Sequence, residues 1–129
     1  MGKKEIEKYI PQALQLIGEH IASNGKVDNE YSGYISSFGA SIIQSGLIPA
    51  VAFYSQPGKE GNVKDNRNKL MNVIYCLIHE KDNCDNKLLN DVISGTVSKE
   101  EVLDAAIATK LALRTFERVE PKKGENNDK

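Results

Sequence analysis

Apolar residues recur at helical spacing from the start of the chain. The first segment places one every three or four positions, which lines a single face of a helix. These residues are Ile6, Tyr9, Ile10, Ala13, Ile17 and Ile21. Asn24-Gly25 predicts the end of this helix, since glycine accepts the left-handed conformation that often follows one. Pro11 predicts either a kink or the true first turn.

A second stripe predicts a second helix, with Asp28 as its N-cap and Gly46 as its end. Its apolar positions are Tyr31, Ile35, Phe38, Ile42 and Ile43. Leu47 is expected to fold back onto the last turn of this helix. Pro49 suits the first turn of a short third helix over residues 49–54, and the composition of residues 56–62 is typical of a loop.

Three more helices follow, which makes the predicted fold all-α, a compact bundle of five to six helices. The fourth carries Leu70 to Ile78, and the fifth begins near Leu88 and ends at Gly95. Ser98 and Glu101 form an S-x-x-E capping box that opens the last helix. That helix is expected to run to about Glu120, before Pro121. No segment alternates between apolar and polar residues well enough to predict a strand. We expect residues 1–120 to form one helical domain and the polar residues 121–129 to form a disordered tail.

No charged residue occurs between Glu30 and Lys59. This uncharged run predicts a central helical hairpin that is buried on most sides, mainly within the core. Its small residues also suit a charge-free surface for another protein chain. With four glycines, two prolines and six serines over residues 31–58, it is not a membrane span, which needs about 18 consecutive apolar residues.

The charge balance excludes a general attraction for nucleic acid or for an acidic membrane. The chain has 17 Lys and Arg against 18 Asp and Glu, so any nucleic-acid surface must come from uneven placement. Cys76 and Cys84 do not form a disulfide framework, which favours a reducing compartment. The charged start of the chain does not resemble a secretory signal. We therefore expect a cytoplasmic protein.

The last helix carries a column of cations. Lys110, Arg114 and Arg118 follow one another at i, i+4 and i+8. They share their side of the helix with Leu103, Ile107 and Leu111. Such a surface suits a phosphate backbone or a partner protein. Equally, the cations fit a solvated helix face that complements the helix C-terminus, and the sequence leaves both readings open.

A second basic group lies in the loop before the fourth helix and in its first turns. It comprises Lys59, Lys64, Arg67 and Lys69. Cations at a helix N-terminus oppose the helix dipole, which favours anions there. A bound phosphate would gain both from these charges and from the free backbone N–H groups. The group is therefore a weak indication of function.

Motifs for catalysis are missing from the sequence. It contains no G-x-S-x-G, no Walker loop and no H-E-x-x-H. Cys76, His79 and Cys84 supply only three of the four preferred ligands of a zinc site. We therefore expect that the protein is not an enzyme and that it binds neither a metal nor a cofactor. A small metal-dependent enzyme is the third alternative, after an RNA-binding subunit and a protein-binding adaptor.

The stretch YISSFGASIIQSGLIPAVAFYS, residues 34–55, resembles the signature of the Cmr small subunit of type III-B CRISPR effector complexes. The matching pieces are Tyr34, which leads a helix, the turn Ser45-Gly46-Leu47, and Ala52-Phe53 in a short apolar helix. The close of the last helix is also similar to the family. The residues concerned are Leu111, Leu113, Arg114 and Glu117.

The resemblance implies a non-catalytic subunit rather than a nuclease. It implies copies that stack beside the backbone and large subunits of a ribonucleoprotein and line the channel in which guide and target RNA pair. Contacts would be made to the RNA backbone without reading sequence. We expect them from Lys64, Arg67, Lys110, Arg114 and Arg118. The alternative is a helical adaptor or regulator that binds only protein partners.

Overall fold

Six helices and two short strands make up the part of the chain that the computed structural model describes, residues 3–59, 62–81 and 87–119. In chain order they are α1 (Lys3–His20), β1 (Lys26–Asp28), α2 (Glu30–Ser45), α3 (Leu47–Tyr54), α4 (Val63–His79), α5 (Leu88–Ser94), α6 (Lys99–Leu113) and β2 (Glu117–Val119). The predicted all-α bundle of five to six helices is thus confirmed. The predicted tail, residues 121–129, lies outside the described residues.

Helix α6 lies at the centre of the bundle and packs against α1, α2 and α4. Its buried face carries Ala105, Ala108 and Ala112, all fully buried. Alanine has no bulky side chain, so the backbones of neighbouring helices can approach closely. The buried Thr109 hydroxyl donates a hydrogen bond of 2.8 Å to the Ala105 carbonyl oxygen, which satisfies it within the helix.

The capping box at the start of α6 is confirmed. The Ser98 N–H donates to Glu101 Oε1 at 2.9 Å, and the Glu101 N–H donates to Ser98 Oγ at 3.1 Å. Two N–H groups that the helix cannot satisfy itself thereby find acceptors. Just before it, Gly95 ends α5 in the left-handed conformation, with φ of 81°, as predicted.

The prediction that the chain has no strand is wrong. β1 and β2 form a two-stranded parallel sheet in which Val27 pairs with Arg118. The Asn29 N–H extends the ladder by donating to the Val119 carbonyl oxygen at 2.8 Å. Each strand has three residues, which is too short for an alternating pattern to show.

Helix α6 ends at Leu113 and not near Glu120. The backbone tightens after Leu113, because the N–H groups of Thr115 and Phe116 bond to carbonyls three residues back. The Thr115 hydroxyl also donates to the Ala112 carbonyl oxygen at 2.8 Å. Residues 117–119 then pair with β1, which satisfies their backbone in another way.

The end of α1 also differs from the prediction. The helix passes through the exposed Pro11 and ends at His20. Asn24 and Gly25, both with positive φ, instead form a tight turn between Ser23 and Lys26, whose backbones exchange two hydrogen bonds. This is the backbone pattern for which Asn-Gly is preferred in two-residue turns. The turn therefore leads the chain into β1.

Helices α2 and α3 form the predicted hairpin with shifted ends. Asn29, not Asp28, is the N-cap of α2. Leu47 begins α3 rather than folding back, because Gly46, with φ of 101°, ends one helix and caps the next. Most large apolar side chains of the uncharged run are buried, but Ile43, Ile48 and Phe53 are exposed, so the hairpin is less enclosed than expected.

Cys76 is disulfide-bonded in the structure, although the sequence predicts no disulfide framework. The other cysteine in the sequence, Cys84, lies outside the described residues. Disulfides are rare in reducing compartments, so this bond does not support the expected reducing environment.

Candidate nucleic-acid interface

Lys110 and Arg114 lie at the C-terminal end of α6. Lys110 is partly buried in the last turn, and Arg114 is exposed at the C-cap position. Residues four apart on a helix project from the same side, so the two cations share one surface. Both also lie where the free carbonyls of a helix end attract positive charge.

Arg118 does not continue this column. It lies in β2 and is exposed, beyond the point where the helix ends. The expected spacing of i, i+4 and i+8 therefore holds for Lys110 and Arg114 alone. Arg118 follows Arg114 along the chain after a turn, and its strand pairs with β1.

A groove lies between α2 and α6 beside Lys110. Its volume is about 270 Å³. Small residues of α2, Ser36, Gly39 and Ala40, form one wall. The other residues that line it are Ile35, Leu103, Ala106, Ile107 and Lys110. We call this the α2–α6 groove, and it confirms that Lys110 shares its side of α6 with aliphatic residues.

Arg67 lies in an aromatic cluster on the other side of α2. Its Cζ atom is 4.8 Å from the centre of the Phe53 ring, 5.6 Å from that of Tyr54 and 5.9 Å from that of Tyr34. Phe53 and Tyr54 contact each other edge to face, with ring centres 5.6 Å apart. We call Tyr34, Phe53, Tyr54 and Arg67 the aromatic–arginine cluster. Such distances are those of cation–π contacts.

The tyrosines of this cluster are held neutral. Burial raises the pKa of Tyr34 to about 12, and the hydrogen bond of 2.9 Å from its hydroxyl to Glu30 adds to the effect. Burial also raises the pKa of Tyr54, although the nearby Arg67 guanidinium acts in the opposite direction. The positive charge of Arg67 is therefore not offset by a phenolate at neutral pH.

Lys64 lies exposed in the first turn of α4, one turn before Arg67. The loop that carries Lys59 packs closely against this turn, because a Cβ added at Gly58 would lie 2.6 Å from Lys64 Cβ. Asn62 caps the helix by accepting from the Asp65 N–H at 3.0 Å. The loop and the first turns of α4 thus bring three cations, Lys59, Lys64 and Arg67, to one end of the helix.

The structure does not bring the five predicted residues onto one patch. Tyr34 contacts Arg67, whereas Ser36 lines the groove with Lys110. Residues two apart on a helix project about 200° from each other, so these contacts lie on opposite flanks of α2. The cations therefore form two groups, Lys64 with Arg67 and Lys110 with Arg114, and Arg118 lies beyond the second.

A family model for "CRISPR-associated protein (Cas_Cmr5)" matches residues 6–119. The chain belongs to this family. The match spans all the helices and strands except the first residues of α1, and it confirms the resemblance to the Cmr small subunit. No curated protein and no solved structure matches the chain.

Two residues that carry the resemblance meet in this Cas_Cmr5 chain at a single side chain. Tyr34 of α2 and Phe53 of α3 both contact the Arg67 guanidinium. The turn at Gly46 sets this arrangement, because it reverses the chain between the two helices. The sequence signature therefore corresponds to a defined spatial cluster.

Carboxylates do not neutralise the five cations within the described residues. The ion pairs formed there use other cations, with Lys8 bound to Glu80 at 3.2 Å and Lys69 bound to Asp65 at 3.7 Å. Lys69 was a member of the second basic group, and its charge is thus partly offset.

Phe53 was not identified as a functional candidate from the sequence. Helix α3 is apolar on all sides, so its pattern does not show which face is exposed. In the structure 49% of Phe53 is accessible to solvent, beside Arg67. The available signals were its place in the family resemblance, as part of Ala52-Phe53, and its position a few residues before a basic loop.

Metal ligands do not cluster among residues 3–59, 62–81 and 87–119. His79 Nε2 instead lies 2.7 Å from Asp91 Oδ2, which links α4 to α5. None of the helices there is long and apolar enough to cross a membrane.

Proposed function

We propose that this Cas_Cmr5 chain is a non-catalytic small subunit of a type III-B CRISPR effector complex. It lines the channel of guide and target RNA and contacts the sugar–phosphate backbone without reading sequence. Its partners are the backbone and large subunits of the complex, neighbouring copies of itself, and the RNA. It works in the cytoplasm without a cofactor.

The observation that carries the proposal is the pair Lys110 and Arg114 on one side of α6 in a chain of this family. A net charge of −1 gives no general attraction for RNA, so binding must come from local groups. Neither cation is paired with a carboxylate among the described residues. Lys64 and Arg67 supply a second local group, and Arg118 lies in β2, four residues after Arg114.

Salt dependence of RNA binding tests the proposal in the assembled complex. Each lost phosphate contact lowers the slope of log K against log salt by about 0.7 for single-stranded RNA. The double variant Arg114→Ala/Arg118→Ala should therefore lower the slope by about 1.4. Affinity would be measured by filter binding of a labelled target RNA at several salt concentrations.

The matched control removes two other exposed cations, Lys87→Ala/Lys99→Ala. Lys99 opens α6, about 20 Å along the helix from Arg114, and Lys87 is the N-cap residue of α5. The net charge changes equally in both double variants, so only a local contact distinguishes them. Equal slopes for the wild type and Arg114→Ala/Arg118→Ala would overturn the proposed surface.

A second candidate function, a protein-only adaptor, is favoured by the α2–α6 groove. Ile107, which lines the groove, is 42% exposed, and Leu111, one turn further along α6, is 39% exposed, so a partner helix could bury both. Leu111→Asp would then release the chain from its partner while Arg114→Ala/Arg118→Ala leaves RNA retention unchanged. Ile93→Asp, at an exposed position on α5, is the control. The opposite pattern supports RNA binding.

A further inference from the structure

Phe53 presents an unusual combination of exposure and support. Half of its surface is open to solvent, yet its ring is fixed by Tyr54 at 5.6 Å and by the Arg67 guanidinium at 4.8 Å. Tyr54 is itself buried against Phe38, with ring centres 5.0 Å apart. The ring thus packs against the core on one side.

Arg67 is held by the rings as well. Its Nε atom is buried without a hydrogen-bond partner among the described residues, so that edge is not fixed by a carboxylate. The contacts with Phe53, Tyr54 and Tyr34 orient the plane of the guanidinium instead. The guanidinium lies over the Phe53 ring, so a second aromatic group can contact the part of the ring that remains open to solvent.

Further cations flank this surface. Lys64 lies one turn before Arg67, and the loop carrying Lys59 packs against that turn. Among the described carboxylates nearby, Asp65 pairs with Lys69, whereas Glu30 accepts from the Tyr34 hydroxyl and keeps its charge. The loop and the first turns of α4 thus supply three cations, Lys59, Lys64 and Arg67, on the helix that packs against α3.

We propose that Phe53 stacks on an unpaired base of the RNA while Lys59 and Lys64 bind the neighbouring phosphates. The inference rests on the proposed function, and it adds a base contact to a backbone contact. Single strands are commonly bound in this way, with aromatic rings for the bases and a positive groove for the backbone. Any base can stack, so the contact needs no sequence preference.

Charge favours RNA over a protein at this surface. A protein partner would have to bring several carboxylates to Lys59, Lys64 and Arg67 as well as an apolar side chain to Phe53. A nucleotide carries both parts, a flat ring and a phosphate, in one unit. Among the described residues of α3 and α4, the large exposed apolar side chains are Ile48, Phe53 and Val63, which is little for a protein interface.

The test measures RNA affinity in the assembled complex with three variants at one position. Phe53→Ala removes the ring, Phe53→Leu keeps an apolar side chain without a π face, and Phe53→Trp restores a ring. We expect Ala and Leu to weaken binding about 5- to 150-fold, and Trp to bind at least as well as the wild type. None should change the salt slope, because no charge is removed.

RNA with single abasic positions identifies the stacked base. An abasic substitution at the contacted nucleotide should weaken wild-type binding and leave Phe53→Ala unaffected. Ile93→Ala, at a position 59% exposed on α5, controls for the loss of a surface apolar group. Circular dichroism melting checks that each variant is folded.

Three results would overturn the stacking. They are unchanged affinity for Phe53→Ala, wild-type affinity for Phe53→Leu, and failure of Phe53→Ala to enter the complex, which would indicate a protein contact. These failures differ from failure of the proposed function, which shows in the salt slope of Arg114→Ala/Arg118→Ala. A reduced slope there with no effect at Phe53 keeps backbone binding and removes only the base contact.

Discussion

Tyr34 connects the fold and the candidate interface through one side chain. Its ring meets Tyr31 edge to face at 6.0 Å, and its hydroxyl donates to Glu30 one turn earlier on α2. The same ring lies 5.9 Å from the Arg67 Cζ atom. Tyr34 thus orients Arg67 while it ties the start of α2 together.

The proton on Tyr34 makes the stability of the fold sensitive to alkaline pH. Its pKa is about 12 in the folded chain and near 10 when unfolded. Between these values the unfolded chain releases a proton that the folded chain retains, so stability is full below about pH 10 and falls as pH rises through the folded pKa. Tyr34→Phe has no such proton.

We therefore expect a smaller alkaline loss of stability in Tyr34→Phe than in the wild type. Urea unfolding at pH 8 to 11.5 would measure it. At pH 8 the variant should be less stable by about 1 kcal/mol, since the bond to Glu30 is lost. Parallel curves for both proteins above pH 10 would contradict the prediction.

The sequence predicts interactions between residues that are close together in the chain better than it predicts the exposure of a side chain. The capping box of Ser98 and Glu101 spans four residues, so its bonds follow from the sequence. The exposure of Phe53 depends on how α3 packs on α2 and α4, which a helix apolar on all sides does not reveal. Lys110 and Arg114 were placed correctly because they share one regular helix.

At the scale of elements, the alanine face of α6 determines how tightly the bundle packs. Ala108 is fully buried on a helix that three others contact. Protein interiors have few voids, so a larger side chain there must displace its neighbours.

Ala108→Leu should destabilise the fold by about 1–3 kcal/mol through overpacking. Ala40→Leu is the matched control, because Ala40 is exposed on α2 and the change should stay within about 0.5 kcal/mol. Urea unfolding of both variants measures the difference. Equal stability of the two would show that the face of α6 tolerates bulk.

The ends of α6 and the two strands show where prediction from sequence stopped. Helical spacing continues to Phe116 and Val119, so the pattern extends the helix past Leu113. The strands form because residues 26–28 and 117–119, about 90 positions apart, meet in the folded chain. A local pattern carries no information about such a contact.

For the molecule as a whole, α2 separates the two groups of cations. An α-helix with its side chains is about 10 Å across, so α2 keeps Lys64 and Arg114 on separate surfaces. Effects of changes at separate sites usually add. Each group should therefore contribute independently to RNA binding.

We expect the salt slopes to be additive. Lys59→Ala/Lys64→Ala and Arg114→Ala/Arg118→Ala should each lower the slope by about 1.4, and the quadruple variant by about 2.8. Filter binding with the assembled complex provides the measurement. If the slope of the quadruple variant equals that of either double variant, both groups contact the same phosphates. That result would contradict the separation of the two groups by α2.

The pairing of β1 with β2 sets the order in which the chain can finish folding. During synthesis β1 is made directly after α1, and β2 is the last of the described elements to be made. β1 therefore has no strand to pair with until α2 to α6 have been synthesised. Domains generally form as units as the chain leaves the ribosome. A chain that ends at residue 113 would contain all six helical segments but could not form the pairing of β1 with β2.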